Sequence, residues 1–254
     1  MISTKKIKEL RSLHQKKFRR KENIFLLEGY RLINQALFAN AEITEVWLTQ
    51  KSSDSIFGKE IIKELENKQI QFSFAPDKII KQISNSLNDQ GIIALAPIPT
   101  YEQYSKLPNT AIYLDGISDP GNMGTILRTA AWFGIKSIFY SINCVDPFNS
   151  KVVRAAMGAH FYFSNFESNA RREILNDFQN QGIDILGAQL DGKSLETLSK
   201  INFTKWILVL GNEAHGISNE IKPFISTNIS IPGIPGMESL NVSIAAGILM
   251  HRLT

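Results

Sequence analysis

The stretch IPGIPGMESLNVSIAAGIL, from Ile231 to Leu249, determines how the rest of the chain is interpreted. It begins as the end of an apolar strand, continues as a loop of glycine and proline, and then turns helical. Two earlier stretches have the same layout: DPGNMGTILRTA, from Asp119 to Ala130, and LGNEAHGIS, from Leu210 to Ser218. Because polar loops at strand ends are where α/β proteins bind ligands, we predict that these three loops form one site.

The composition is that of a globular protein with enough apolar residues for a sizeable core. The 254 residues are 43% hydrophobic and 20% charged, which fits one large or two ordinary domains. No apolar run approaches the ~20 residues needed to span a bilayer, and the Lys-rich start lacks the apolar centre of a signal peptide. A single cysteine excludes internal disulfides and multi-cysteine zinc sites. We expect a cytoplasmic protein without a membrane segment or a metal site.

Positive charge is concentrated at the beginning of the sequence. Residues 1–31 hold ten Lys and Arg against three Glu, a net charge of +7, so that the other 223 residues carry −3 of the total of +4. A solvated helix end is one interpretation of such a run, and contact with the phosphates of a nucleic acid is the other. The candidate residues for such a contact are Lys16, Lys17, Arg19, Arg20 and Lys21.

Helical and strand-like segments alternate along the chain and predict two α/β domains. The first is a small domain at residues 1–98, which opens with a basic helix at 1–21. A linker rich in proline and polar residues follows at 99–109, and the second domain, with a parallel sheet, occupies 110–254. Within it the pattern predicts a helix from Met123 to Phe133 capped by Asn122, and a terminal helix from about Leu240.

The three loops carry residue types that suit substrate binding, although each also has a structural interpretation. Asn122 can cap a helix or face a substrate. Arg128 lies one helical turn beyond Gly124 on the same face, where it could reach back toward the loop or be a surface arginine of an ordinary amphipathic helix. Glu213 could cap a helix or contact a substrate. Ser239 and Asn241 are plausible cap residues. The motifs of phosphate-binding and dinucleotide-binding loops, GxxxxGK[ST] and GxGxxG, are absent.

Taken together, the blocks NxGxxxR (Asn122 to Arg128), GNE (Gly211 to Glu213) and IPG…ESLNVS (Ile231 to Ser243) resemble the three motifs of the SpoU/TrmH family. Its members are RNA ribose 2′-O-methyltransferases of the SPOUT superfamily. The resemblance covers the chain from about Tyr113 to its end. The segments FLLEGYRL and QGIIAL are similar to the ribosomal-protein-like RNA-binding domain that many members carry.

This resemblance implies an α/β fold with a C-terminal trefoil knot of the SPOUT type and a homodimer built partly on the terminal helix. It implies S-adenosylmethionine as methyl donor and RNA as substrate, with ribosomal RNA favoured because of the added domain. Transfer RNA is the alternative substrate, and a catalytically inactive RNA-binding or assembly protein is the alternative from another class. The implied catalytic residues are Arg128, Asn122, Glu213, Ser239 and Asn241, and the implied cofactor-binding residues are Leu210, Gly211, Ile231 and Leu240.

The sequence differs from the family pattern at two positions. Pro235 stands where glycine is common, and Ala156 stands where many relatives have serine. The implied reaction is attack of a ribose 2′-oxygen on a sulfonium methyl group, which requires the two held in line. Deprotonating a guanidinium near neutral pH costs about 7 kcal/mol. We therefore expect Arg128 to hold a phosphate and stabilise charge on oxygen rather than act as a base.

Overall fold

The computed structural model describes residues 2–86, 89–99, 107–168, 173–194, 197, 203–234, 236 and 239–254. Most of the predicted linker, at 100–106, and the departure at Pro235 lie outside the described residues. The chain forms two compact units. The first contains Met1–Thr100 together with Asp146–Phe161, and the second contains Tyr101–Val145 and Tyr162–Thr254. The predicted domain boundaries at residues 98 and 110 stay a prediction. They did not include residues 146–161 in the first domain, whereas the structure groups these residues with the first unit.

Strands and helices alternate along most of the chain, as the sequence predicts. In chain order the helices are α1 (Thr4–Ser12), α2 (Lys16–Glu22), α3 (Tyr30–Phe38), α4 (Gln50–Ser53), α5 (Ile56–Asn67), α6 (Asp77–Ile83), α7 (Pro120–Trp132), α8 (Ser150–Ala156), α9 (Glu173–Asn180) and α10 (Val242–Leu253). The strands are β1 (Ile24–Glu28), β2 (Glu45–Leu48), β3 (Phe72–Phe74), β4 (Ile92–Pro97), β5 (Thr110–Leu114), β6 (Ser137–Tyr140), β7 (Asn165–Ser168), β8 (Asp184–Ser194), β9 (Trp206–Leu210) and β10 (Thr227–Ser230). Among the described residues, no helix is long and apolar enough to cross a bilayer.

The first unit is built on a four-stranded sheet in the order β1-β4-β2-β3. Strand β4 is antiparallel to both β1 and β2, so its amino end lies beside their carboxyl ends. One core cluster joins Leu10 and Leu13 of the opening segment to Trp47 and to Ile80 of α6. Burial of these apolar side chains, at about 1.5–3 kcal/mol each, holds the opening segment on the sheet.

The predicted single helix at 1–21 is wrong, because two helices, α1 and α2, replace it. The Leu13 carbonyl, which a continuous helix would pair with a backbone amide, instead accepts a hydrogen bond of 2.6 Å from Arg19 Nη1. Ser3 caps α1 by accepting a hydrogen bond from the backbone of Lys6. The side chain of Arg19 therefore stabilises the turn between the two helices.

The second unit is built on a parallel sheet in the order β10-β8-β9-β5-β6-β7. All five residues of the central strand β9 are buried, as expected for a strand covered on both faces. The chain leaves β5 toward β6 and leaves β9 in the opposite direction, toward β10. The neighbouring strands β5 and β9 are thus the switch point of the sheet, where α/β proteins bind ligands beyond the carboxyl ends of the strands.

Candidate active site

Three loops leave the carboxyl edge of this parallel sheet, one each after β5, β9 and β10. The backbone of Asp115 continues the pairing of β5 with β9 by donating a hydrogen bond of 2.8 Å to Leu210 O. The Asp115 carboxylate, which is 7% exposed, accepts a hydrogen bond of 2.7 Å from the backbone of Ser218. This carboxylate therefore joins the first loop to the second. Sequence reasoning missed Asp115, although an acidic residue directly after a buried strand was a signal for it.

Helix α7 begins three residues earlier than predicted, and its cap is Asp119 rather than Asn122. The Asp119 carboxylate accepts a hydrogen bond of 2.8 Å from the backbone of Asn122, and Pro120 occupies the first turn, where its missing N–H costs nothing. The prediction of Asn122 as the cap is therefore wrong. Because Asp119 performs that role, the side chain of Asn122 is free for the site.

The loop after β9 is held in a tight turn that projects Glu213. Gly211 packs so closely that a β-carbon there would lie 2.2 Å from the carbonyl carbon of Gly216, so only glycine fits. Asn212 and Gly216 exchange backbone hydrogen bonds of 2.9 and 2.8 Å, and Gly216 has φ of +65°. The Asn212 amide donates to Gly116 O at 2.8 Å, which fastens this loop to the one after β5. Glu213 is left exposed at the tip of the turn.

Asn241 caps α10, which begins at Val242 and not at the predicted Leu240. Its Oδ1 accepts hydrogen bonds from the Ser243 backbone, the Ser243 hydroxyl and the Ile244 backbone, at 2.9, 2.6 and 3.3 Å. The cap function suggested by the sequence is therefore confirmed for Asn241. With its oxygen fully used in this way, only its amide nitrogen can reach across to another loop.

Asn122 connects all three loops. Its Nδ2 donates a hydrogen bond of 2.8 Å to Glu213 Oε1, and its Oδ1 accepts one of 3.0 Å from Asn241 Nδ2. The donor faces a carboxylate and the acceptor faces an amide, which fixes the orientation of the Asn122 side chain. We call these three residues the amide bridge. The predicted convergence of the three loops is confirmed by the amide bridge.

Arg128 is exposed on α7, and its side chain makes no hydrogen bond or ion pair with any described residue. Thr125 of the same helix is exposed as well, while Gly124 is buried. Inside one chain, the Arg128 side chain thus forms no hydrogen bond or ion pair with the amide bridge. Helix α7 packs against α10: a β-carbon added at Gly247 would lie 3.8 Å from Thr129 Cγ2, which is ordinary van der Waals contact.

The residues predicted to bind the cofactor are distributed between the sheet and the third loop. Leu210 is fully buried and Ile231 is partly buried, whereas Leu240 is 46% exposed beside the exposed Ser239. The described loop residues 231–234, 236 and 239–240 make no backbone hydrogen bond with other described residues. Exposed backbone donors and acceptors beside exposed apolar side chains suit a ligand with an aromatic base and polar ends.

Two buried groups next to the site stay protonated at neutral pH. Burial, together with the charge of Asp115, raises the pKa of Tyr113 well above its usual value. Burial also raises the pKa of the Cys144 thiol, whose sulfur donates to Leu114 O at 3.3 Å. Neither group therefore acts as a base or a nucleophile there.

The predicted RNA-binding residues of α2 do not share one environment. Four of the five are exposed: Lys16, Lys17, Arg20 and Lys21. Arg19 is only 3% exposed, and its guanidinium binds Leu13 O and forms an ion pair with the Asp146 carboxylate. Arg19 therefore does not face solvent as the prediction required, because its charge is used inside the first unit.

Ala156, the second departure from the family pattern, is fully buried in α8. A hydroxyl at this position would be enclosed by the first unit and would not face a substrate in solution. The Arg154 side chain of the same helix forms an ion pair of 3.2 Å with Glu28. This segment therefore contributes to packing within the first unit.

The chain matches models of two protein families. Residues 109–251 match the SpoU rRNA Methylase family, and residues 4–94 match the MRM3-like substrate binding domain. It is 28% identical to the 23S rRNA (guanosine(2553)-2′-O)-methyltransferase RlmP of Bacillus subtilis, over 98% of this chain and 95% of that protein.

Two solved structures have a similar fold over almost the whole chain. A TrmH-family RNA methyltransferase described as putative, from Porphyromonas gingivalis, has a TM-score of 0.83 and 34% identity, over 100% of this chain and 98% of that chain. An rRNA methyltransferase from Sinorhizobium meliloti with bound AdoMet has a TM-score of 0.80 and 25% identity, over 100% and 96% of the two chains.

Proposed function

Because the chain belongs to the SpoU rRNA methylase family, we propose that it methylates a ribose 2′-hydroxyl of ribosomal RNA, with S-adenosylmethionine as donor. The observation that carries the proposal is the amide bridge, which draws the loops after β5, β9 and β10 together at the switch point of the sheet. The aligned relatives cover both units, and the Bacillus subtilis relative is named for this reaction on 23S ribosomal RNA.

The loop after β10 is the proposed donor site. Ile234 is 74% exposed and Leu240 is 46% exposed, so both present apolar surface to an adenine ring or a methionine chain. The backbone groups of the described loop residues make no hydrogen bond with other described residues, and we propose that some of them bind its polar ends. When bound, the donor supplies a methyl carbon made electrophilic by the sulfonium charge.

The residues of the chain then serve to position the ribose. Glu213 holds the Asn122 amide, and Asn122 in turn holds Asn241, so the edge of the site is rigid before RNA arrives. Holding a nucleophile and a methyl group in line at near-attack distance accounts for a large part of such a rate. Ser239 and the carboxylate of Glu213 are exposed and lie within the loops that would contact the ribose. Arg128 supplies a fixed pair of donors for a phosphate or for charge developing on the 2′-oxygen.

We further propose that Arg128 acts in a site shared between two copies of the chain. Three large apolar side chains are exposed on the packed helices α7 and α10: Trp132 at 85%, Ile244 at 55% and Ile248 at 40%. Exposed apolar surface of this kind marks a protein interface. A homodimer through this surface would bury it and bring Arg128, on the same helix as Trp132, toward the partner. The trefoil knot is a proposal that follows from the family, and the cytoplasmic location is a proposal that rests on the composition of the sequence.

The proposal is tested by incubating the full-length protein with labelled S-adenosylmethionine and two separated RNA pools, unmodified ribosomal RNA and transfer RNA. Label in ribosomal RNA alone, released by nucleases as a 2′-O-methylated nucleotide, is the expected result. Label in transfer RNA alone would mean that the protein is a transfer RNA methyltransferase. If the protein binds both the donor and RNA but transfers no methyl group, it is a catalytically inactive RNA-binding or assembly protein.

A further inference from the structure

The first unit exposes two large apolar side chains side by side at the amino end of α5. Ile56 is 76% exposed and Phe57 is 63% exposed, although most apolar residues of this unit are buried. The Phe57 ring lies 6.0 Å from the ring of Tyr30, at an angle of 39°. The first unit therefore presents an aromatic pair to solvent at this point.

The Tyr30 ring of this pair is held in place by hydrogen bonds. The Tyr30 hydroxyl donates to Ser52 O at 2.8 Å and accepts from the Ser55 hydroxyl at 3.2 Å. The Tyr30 backbone donates to Gln90 Oε1 at 2.9 Å. Gly29 makes this possible, because its φ is +97° and a β-carbon there would lie 2.8 Å from the same Gln90 oxygen. A fixed aromatic surface loses little entropy when a flat ring stacks on it.

A cavity of about 230 Å³ lies beside Gly29 and Arg31, the sequence neighbours of Tyr30, and charged, polar and apolar side chains line it. Arg31 lines it, is exposed, and pairs with no other described residue. The acidic groups of the cavity are already bound, since Glu28 accepts from Arg154 at 3.2 Å and Asp89 accepts from the Gly91 backbone at 3.1 Å. The cavity is smaller than the ~300–1,000 Å³ of most small-molecule sites, so part of a polymer fits it better than a metabolite.

The charge of the first unit is complementary to RNA. Met1–Thr100 with Asp146–Phe161 contains 18 Lys and Arg against 12 Asp and Glu, a net charge of +6. From the total of +4, the rest of the chain therefore carries −2. Proteins bind unpaired RNA by combining a positive surface with aromatic side chains on which bases stack.

We propose that the first unit binds an unpaired nucleotide of the RNA substrate, with its base stacked on Phe57 beside Tyr30 and its phosphate bound by Arg31. The inference rests on the proposed function for its substrate class, and it names the place where that RNA is held. The free amide nitrogen of Gln90 faces the same cavity and donates to a base edge. RNA recognition thus extends beyond the exposed lysines and arginine of α2.

The test compares two variants of the full-length protein with two matched controls at the other end of the same helices. Phe57→Leu removes the ring but keeps apolar volume, and Arg31→Gln removes the charge. The controls are Phe38→Leu, where the phenylalanine is 77% exposed at the end of α3, and Lys68→Gln, where the amine binds Asn40 at 2.6 Å. Phe38 lies eight residues from Tyr30 along α3, and Lys68 lies eleven residues from Phe57 just past the end of α5. At the rise of a helix these separations are about 12 Å and about 16 Å.

The probe is an unmodified transcript of large-subunit ribosomal RNA, and the readout is its Kd at several salt concentrations. We expect Phe57→Leu to raise Kd about tenfold, which is typical of losing one stacked base. Arg31→Gln should lower the slope of log K against log salt by about 0.7, the value for one phosphate contact on a single strand. Both controls should stay within about twofold of the wild type, and the affinity for S-adenosylmethionine should not change.

Two results would overturn the inference. One is wild-type RNA affinity in Phe57→Leu. The other is a lower molar mass of Phe57→Leu than of the wild type, measured by light scattering, with unchanged RNA affinity. That result would assign this surface to contact with a second copy of the chain. Methylation rates separate this inference from the proposed function. A raised KM with unchanged kcat in Phe57→Leu supports the inference. If the wild type binds RNA tightly through Phe57 but transfers no methyl group, only the proposed function is contradicted.

Discussion

Asn241 Nδ2 donates a hydrogen bond of 3.0 Å to Asn122 Oδ1, across 119 residues of sequence. The same Asn122 side chain donates to Glu213. Each of the three residues comes from a different loop at the carboxyl edge of the parallel sheet. This hydrogen-bonded chain fixes the relative positions of the loops and is the reason to treat them as one site.

Replacing Asn122 by aspartate tests the amide bridge without changing its size. The variant places a second carboxylate against Glu213, and two like charges in contact repel. We expect kcat to fall about 100-fold near neutral pH, the scale expected for a displacement of about 1 Å in a reactive site. Part of the rate should return as pH falls, because one shared proton restores the hydrogen bond. The measurement is single-turnover methylation as a function of pH.

The control for this variant is Asn219→Asp, in an exposed position whose side chain accepts only a long hydrogen bond of 3.4 Å from Lys222. Its rate should match the wild type at every pH. A full rate in Asn122→Asp near neutral pH would mean that the amide bridge does not position the reacting groups.

Replacing Arg128 by alanine tests whether this exposed residue acts on the substrate. Because the Arg128 side chain is exposed and forms no hydrogen bond or ion pair with a described residue, the free energy of unfolding should change by less than about 0.5 kcal/mol. Loss of a donor to developing charge should lower kcat by about 100-fold to 1,000-fold, with unchanged affinity for S-adenosylmethionine. Lys136→Ala, exposed just beyond the end of α7, is the matched control. Equal rates in the two variants would remove Arg128 from the mechanism.

Mixing Arg128→Ala with Asn122→Asp tests the site shared between two chains. If Arg128 serves the partner, a mixed dimer contains one site with both functional residues, and activity reappears on mixing two inactive proteins. If Arg128 serves its own chain, each site of the mixed dimer lacks one residue and the mixture stays inactive. Light scattering provides the molar mass of each protein in the same experiment.

Replacing Arg19 by methionine tests a structural role for a residue that the sequence marked as RNA-binding. The change leaves the Asp146 carboxylate, whose side chain is 15% exposed, without its partner. Loss of one member of a buried ion pair costs about 3–5 kcal/mol. Arg20→Met, at the exposed neighbouring position, should cost less than about 0.5 kcal/mol. Urea unfolding measures both, and equal stabilities would contradict the role assigned to Arg19.

His160 makes stability depend on pH. It is 1% exposed, and burial lowers its pKa from 6.5 to about 4, although a hydrogen bond of 2.9 Å to Pro147 O opposes this shift. A lowered pKa in the folded state means that the unfolded chain binds the proton first. The contribution is therefore complete above about pH 6.5 and is lost as pH falls toward 4, by about 3 kcal/mol.

His160→Gln keeps a donor near Pro147 and removes the titration. The slope of unfolding free energy against pH should therefore become shallower between about pH 4 and 6.5. His14→Gln is the control, because His14 also binds a backbone carbonyl, Ile83 O at 2.7 Å, but is only partly buried. An unchanged slope in His160→Gln would assign the pH dependence to other groups.

The sequence predicted the alternation of strands and helices and the meeting of the three loops, because both depend on local pattern. It placed the cap of α7 at Asn122, although Pro120, a residue favoured at the first helical position, was a signal for Asp119 as the cap. It could not predict that Arg19 is buried, because its partner Asp146 lies 127 residues away. For the same reason it could not group residues 146–161 with the first unit.

Because residues 146–161 belong to the first unit, deleting that unit disturbs more than RNA binding. Removing residues 1–98 would expose apolar side chains of the segment at 146–161, among them Phe148, Val152 and Val153, all at most 7% exposed. A truncated protein would lose solubility along with RNA binding. Point variants such as Phe57→Leu and Arg20→Met therefore test RNA binding more clearly than deletion of the unit.

Ribose methylation by this protein is best tested by a map of 2′-O-methylation across all ribosomal and transfer RNA, made from cells with and without the protein. We predict that one ribose of ribosomal RNA lacks its methyl group in the cells without the protein. The purified protein should restore it with S-adenosylmethionine, whereas Asn122→Asp should not restore it near neutral pH. Identical maps in the two cell lines, with no transfer by the purified protein to unmodified ribosomal RNA, would contradict this prediction.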